Sequence, residues 1–281
     1  MAGLKCRMSW RAAVSPTFWR VTTASANSPA RSKFSAAKSR NSRGCRGGSA
    51  RKSAALERVR HCNVVRIYAH GQTPSGAPYL VMEFIPGRSL REILEAGPMP
   101  SKQIARMLRQ LGSALDAIHA QGICHRDVKP ENIIMRGENA AGDEFVLIDF
   151  SIAIVKDANE TLYGLSRAAG TFDYMAPEQA IGYAQPSSDV YSLARIAIEM
   201  LTGRRLQELL PEAALDLPER VRELAHGLDR GFSMDSIAML GAALEFDPLR
   251  RPPAAGIFAA ALAADLERTQ RAATPDGGGP G

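Results

Sequence analysis

His125-Arg126-Asp127-Val128-Lys129-Pro130-Glu131-Asn132 is the stretch that decides the fold. It sets a carboxylate, an ammonium and a carboxamide at offsets 0, +2 and +5. A loop with those three groups can present a base to a hydroxyl, a cation to a phosphate and a neutral oxygen to a metal ion at once. Five fixed residue types across such an eight-residue stretch arise by chance on the order of once in ten thousand chains of this size. Twenty-two residues beyond Asp127, Asp149 closes the apolar run Phe145 to Ile148. That run and Asn132 to Met135 flank the turn-forming Gly-Glu-Asn-Ala-Ala-Gly, which predicts a hairpin. On the other side, Ile104, Leu108, Leu111, Leu115 and Ile118 recur at threes and fours, so an amphipathic helix is expected from a capping Ser101 to about Gln121. Short strands are expected around Val64 to Ala69 and Tyr79 to Glu83, with a turn at Pro86-Gly87. Beyond Pro186 the pattern is helical to about Arg268.

Composition narrows the class. With 281 residues, 45% apolar and 23% charged, the chain falls outside collagen-like, coiled-coil and wholly disordered proteins. Its apolar run Ile257 to Ala264 is far short of the roughly 18 residues a membrane span needs, and the first twenty residues lack a signal-like apolar core. A cytoplasmic location with no membrane span is therefore expected. Cys6, Cys45, Cys62 and Cys124 match no metal-binding or disulfide spacing. Charge divides the chain: residues 1–60 hold 14 Lys/Arg and one acid, Glu57, whereas the remainder holds 21 Lys/Arg and 28 Asp/Glu. The Arg/Ser/Ala-rich residues 1–54, without helical or strand periodicity, are expected to be a disordered basic segment. Few aromatics interrupt it, so a nucleic-acid partner is not expected.

The stretch His125 to Asn132 resembles the catalytic loop of protein kinases, and the rest of the globular part follows the same family. By that resemblance Asp127 receives the proton of the acceptor hydroxyl, Lys129 stabilises the transferring phosphate, and Asn132 holds a magnesium ion. Asp149-Phe150-Ser151 is similar to the family's Asp-Phe-Gly, giving Asp149 as the second metal ligand. Serine where glycine is usual would cost on the order of 1 kcal/mol if that position needs a positive φ. Gly170 to Glu178 resembles the end of an activation segment, with Thr171 at the threonine of Ser/Thr-specific members, a specificity Lys129 also indicates. The same likeness makes Asp189 an anchor of the catalytic loop, and pairs Glu178 with Arg251 from Asp247-Pro248-Leu249-Arg250-Arg251-Pro252. Tyr79 to Gly87 resembles the strand and hinge that cradle adenine, with Met82 as gatekeeper and backbone groups of Glu83 and Ile85 on the base edge. His61-Cys62-Asn63-Val64-Val65 is similar to the segment that follows the small-lobe helix. Arg126 implies a phosphorylated activation segment, with Thr161 and Ser166 as acceptors.

The resemblance implies a bilobal α+β protein-kinase-like fold of the bacterial Ser/Thr type, ATP and Mg2+ as cofactors, and protein Ser/Thr hydroxyls as substrates. It does not extend to a glycine-rich phosphate loop, a Val-Ala-x-Lys strand or a helix glutamate, since no acid precedes Glu57. Lys33 and Lys38 stand nearest the expected lysine. The expected division is therefore 1–54 a basic segment without family likeness, 55–87 a residual small lobe with hinge, 88–268 a complete helical large lobe, and 269–281 a flexible tail. Two explanations are open for such a segment: a genuine N-terminal stretch of a degenerate kinase, or a displaced frame or start, the latter being the expectation. The expected function is Ser/Thr phosphotransfer impaired by the missing elements; the alternative is an inactive scaffold or binding module.

Overall fold

The computed structural model describes residues 18–25, 28–35, 55–72, 78–139, 142–150, 172–204 and 233–273. Thr161, Ser166 and Thr171, together with Ser151 and Lys38, lie outside these residues.

At the N-terminal end, β1 (Phe18–Ser25) pairs antiparallel with β2 (Ser28–Ser35) through a two-residue connection. This corrects the expectation that residues 1–54 lack regular structure. Phe18-Trp19-Arg20-Val21-Thr22-Thr23 is rich in the aromatic and β-branched residues that suit a strand, although it does not alternate cleanly. Lys33 sits on β2 opposite Arg20, and β2 runs alongside β4 (Pro78–Met82).

β3 (Ile67–Gln72) and β4 form a second antiparallel pair that delivers the chain to Met82 and the turn at Pro86-Gly87. Gly87 adopts φ +148°, and a Cβ there would lie 2.0 Å from the Met135 carbonyl oxygen, so only glycine lets the chain pass this close to the following hairpin. β5 (Arg88–Ser89) leads into α1 (Leu90–Ala96), whose Ser89 and Glu92 form a reciprocal capping box.

α2 (Ser101–His119) carries the expected apolar stripe: Ile104, Leu108, Leu111, Leu115 and Ile118 are all fully buried. Its start differs in detail, because Pro100 occupies the cap position and no side chain caps the helix. α2 packs on α6 (Ala255–Ala273) at Gly112, where a Cβ would approach Ala259 Cβ to 2.5 Å. α6 continues to Ala273, into the stretch expected to be tail. The apolar spacing that marks its buried face fades after Leu266, while Ala, Arg and Gln sustain the helix by propensity. Between them, α4 (Pro186–Thr202) is the central helix, buried on nearly every side and ended by Gly203 at φ +65°. α3 (Pro177–Ala180) and α5 (Met234–Ala243) complete the helical part. Ser233 caps α5, and the Ser233 and Ser236 side chains and Arg268 bond Asp265. Burial alone would raise that carboxyl, but these bonds outweigh it and hold it at about 2.

The predicted hairpin is present as β6 (Ile133–Asn139) and β7 (Gly142–Leu147), in register from Ile133 opposite Leu147 to Arg136 opposite Glu144. Residues 55–72 are fastened to it. Val65 N–H donates to Leu147 O and Leu147 N–H to Asn63 O, both at 2.9 Å, while the Asn63 amide donates to Phe145 O at 2.8 Å and to Gln110 at 3.0 Å. Leu56, Val59, Val65, Ile67 and Met82 join the same hydrophobic core as α2, α4 and α6.

His61 sits at this junction. Its Nδ1 accepts the Asn63 N–H at 3.1 Å, and its Nε2 lies 2.9 Å from the Ser113 hydroxyl. Burial lowers its pKa from the ordinary 6.5, so the unfolded chain takes up the proton first as pH falls. The stability this neutral ring confers is therefore complete above pH of about 6.5 and is lost as pH drops below it toward the folded value. Urea unfolding at pH 7.5 and 5.5 should show a loss of stability in the unmutated chain that is smaller in His61→Gln; equal losses in both would contradict this.

Candidate active site

The loop that precedes β6 is built on a buried carboxylate. Asp189, in the first turn of α4 and completely buried, accepts the N–H groups of His125 at 2.8 Å and Arg126 at 2.9 Å, and bonds His119 Nε2 at 2.7 Å. Burial alone would raise its pKa. The His119 hydrogen bond and charge and the Arg126 N–H outweigh that, and the carboxyl lies below its ordinary value. His125 is locked in turn: its Nδ1 accepts the Asp127 N–H at 3.3 Å, which leaves the ring proton on Nε2 to donate to Ile148 O at 3.1 Å. Its ring packs 4.8 Å from that of the buried Phe150.

On this base the three loop groups meet. Lys129 Nζ reaches both Asp127 carboxylate oxygens, at 2.9 and 2.8 Å, and Asn132 Nδ2 donates to Asp127 O at 2.8 Å and Asp127 Oδ2 at 2.9 Å. Asp127 and Lys129 remain partly open, with side chains 10% and 19% exposed, so a substrate group can reach them. Asn132 spends its amide nitrogen on Asp127, and its oxygen is the atom suited to a cation. Asn132 O accepts the Ile148 N–H at 2.8 Å, which places Asp149 one residue along from a direct tie to Asn132. Asn132 and Asp149 carry hard oxygen donors of the kind that would hold a magnesium ion. Arg126 and Asp149 are the non-glycine residues with positive φ among the described residues, at 69° and 66°. Both flank the chemistry, where strained backbone is characteristically found.

The hinge-side residues Met82, Glu83 and Ile85 lie on and just after β4. Met82 and Ile85 are buried, and the Glu83 N–H donates to Arg66 O at 2.8 Å. The Glu83 side chain is held by Arg136 at 2.9 Å. Glu178 and Arg251 form the expected pair, bidentate at 2.7 and 2.8 Å, with the Arg251 side chain fully buried.

Several participants were not singled out from sequence. His119 ends an amphipathic helix and looks like any surface histidine until Asp189 is placed beside it. Arg91 of α1 bonds Glu131 at 2.9 Å, Glu199 at 2.5 Å and the Tyr174 hydroxyl at 2.6 Å, and Tyr174 also bonds Glu199. Burial pushes the Tyr174 hydroxyl far above its usual pKa, with the Glu199 charge adding to it. Burial opposes the Arg91 charge, yet the Glu199 and Glu131 bonds raise its pKa. The cluster ties α1, the catalytic loop, the turn at Phe172–Tyr174 and α4 into one unit. Its members are 25 to 108 positions apart and share no local spacing.

The protein kinase domain model matches residues 21–260. The chain belongs to the protein kinase family. The match begins at Val21, so it includes residues 21–54, which the sequence reading left outside the likeness. Relatives include the serine/threonine-protein kinases pkn2 and pkn3 of Myxococcus xanthus and PknB of Mycobacterium tuberculosis. They are 37%, 30% and 34% identical over 76%, 80% and 81% of this chain. The chain spans 26%, 43% and 36% of the length of those three proteins. The family is a phosphotransferase family that uses ATP, and the fold is its mixed α+β domain. Among the described residues no helix is long and apolar enough to cross a membrane.

Proposed function

We propose that this kinase domain transfers the ATP γ-phosphoryl group to Ser/Thr hydroxyls of proteins, and does so slowly. The observation that carries the reading is the meeting of Asp127, Lys129 and Asn132 in one partly open loop. Asp127 orients the acceptor hydroxyl and takes its proton while the hydroxyl oxygen forms the new bond to phosphorus. The bond from the γ-phosphorus to the bridging oxygen breaks, and ADP leaves with that electron pair. Lys129 stabilises the negative charge on the moving group, and Asn132 and Asp149 hold the metal. A magnesium ion held there would supply charge neutralisation to the phosphates. Met82, Glu83 and Ile85 form the adenine side, and Thr171 selects Ser/Thr acceptors. Phosphorylation at Thr161 or Ser166 supplies the anion for Arg126.

The slow rate follows from the small lobe. Glu57, the only acid among the first 60 residues, pairs with His70 at 2.7 Å, so it is committed away from a phosphate-binding lysine. The strands β1 and β2, with Lys33 on the strand beside β4, and residues 55–87 then act as a reduced small lobe on the large lobe of 88–268. Positioning supplies most of the catalysis in phosphoryl transfer, and its loss costs several powers of ten.

The test is transfer from γ-labelled ATP, with magnesium, to the chain itself and to a generic basic protein. Asp127→Asn is expected to lower the rate at least about 100-fold, the low end of a general base's contribution. Equal background labelling by both chains would contradict phosphotransfer and favour a scaffold that binds partners.

A further inference from the structure

We propose that Gln179 is a positioning residue for Asp127, acting through the peptide of Arg126. This rests on the reading of Asp127 as the group that receives the hydroxyl proton. Gln179 belongs to α3, the short helix that follows the end of the activation segment, and is 4% exposed. Its Nε2 donates to the Arg126 carbonyl at 2.5 Å. Arg126 immediately precedes Asp127 and holds a left-handed φ of 69°, a conformation that residues with a Cβ avoid. Its N–H is gripped by Asp189 at 2.9 Å and its carbonyl by Gln179. Two buried side chains from different helices thus fix both polar groups of one strained residue. The peptide plane leading into Asp127 has its orientation set by them.

The other half of the same amide shows why it is present. Gln179 Oε1 is buried with no hydrogen-bond partner among the described residues. Leaving a buried acceptor unpaired is destabilising, so as a packing element this amide does worse than a methionine of the same length. Rotating the amide would set oxygen against the Arg126 carbonyl, so the donor has one usable orientation. The group serves the bond to Arg126 at the expense of stability.

Gln179 also stands where α3 is held from its outer side. The adjacent Glu178 is locked by Arg251 and by the Ser188 hydroxyl at 2.6 Å. Through Gln179 the placement of α3, and with it the substrate-facing end of the activation segment, is passed to the catalytic aspartate. The sequence alone carries no sign of this, since a Gln after Pro-Glu reads as an ordinary polar helix residue.

The test compares the unmutated chain with Gln179→Met and Gln179→Glu. In Gln179→Met, kcat should fall about 10- to 100-fold, the scale of a displacement near 1 Å, with the KM for ATP unchanged within about twofold. Its thermal midpoint should change little, because the unpaired Oε1 is gone while the Arg126 carbonyl loses its donor. Amide exchange at residues 125–127 should quicken at least about tenfold while α2 and α4 stay protected. In Gln179→Glu, only the protonated acid can donate to the Arg126 carbonyl. Its rate, relative to the unmutated chain, should therefore fall as pH rises through the pKa of that carboxyl. A lowered midpoint with kcat per folded molecule intact would reduce Gln179 to a structural residue and overturn the proposal. If the unmutated chain transfers no phosphate, the phosphotransfer reading fails by itself. The exchange measurement then decides: unchanged protection at residues 125–127 in Gln179→Met overturns the positioning role, and local loss supports it.

Discussion

Glu178→Ala is expected to destabilise the domain by about 3–5 kcal/mol, the usual result of leaving one member of a buried ion pair without its partner. Arg251 carries the cost. Its side chain is fully buried, and among the described residues it bonds, besides Glu178, only backbone carbonyls, those of Glu245 at 2.7 Å, Ser187 at 3.1 Å and Phe246 at 3.2 Å. Its guanidinium also lies 4.8 Å over the Tyr191 ring, a contact that cannot neutralise it. The Ser188 hydroxyl loses its acceptor at the same time. Because these bonds join α3, α4 and the turn before α6, the loss should appear as a lowered midpoint in urea with an unchanged slope. Replacing both residues, as Glu178→Met with Arg251→Met, should recover much of the loss, since removing both charges avoids the uncompensated one. A single variant with full stability would show that the pair contributes nothing.

Asp189→Ala is the second large effect, and it should reach activity as well as stability. The carboxylate satisfies the His125 and Arg126 N–H groups and the His119 ring in a fully buried position. Without it two buried donors lose their acceptor, at about 1–3 kcal/mol each. Arg126 is then free to leave its left-handed conformation, and Asp127 moves with it. A displacement of the carboxylate by about 1 Å should lower transfer roughly 100-fold beyond what the fraction unfolded explains. The pH dependence has a definite sign. The folded pKa lies below the ordinary 3.8, so the contribution of Asp189 is complete above that value and is lost as pH falls below it. Acid unfolding of the unmutated chain should therefore show a component that Asp189→Ala lacks. Unaltered transfer per folded molecule in that variant would mean that the loop holds its shape without the anchor.

The parts of this structure that are local in sequence were legible, and those built by distant contacts were not. The hairpin of β6 and β7 followed from an apolar run on each side of a glycine-bearing turn. The helix of α2 followed from five apolar residues at helical spacing, all of which are buried. Asp127, Lys129 and Asn132 were found because a loop brings residues within five positions together. The ties from Asn63 to Gln110 and Phe145, and from His119 to Asp189, cross 47 to 82 positions, and no spacing rule reaches that far. Gln179 was missed for the same reason. β1 and β2 were missed on other grounds: Ser, Ala, Arg and Pro dilute the alternation that announces a strand, and Pro29 and two basic residues stand in β2.

The central claim is that the loop around Asp127 performs phosphoryl transfer to serine and threonine. Its most direct test is phosphoamino-acid analysis of protein labelled by the unmutated chain, run beside Asp127→Asn. Phosphoserine and phosphothreonine from the unmutated chain, absent from the variant, are the predicted result. Phosphotyrosine as the main product, or the same label from both chains, would contradict it.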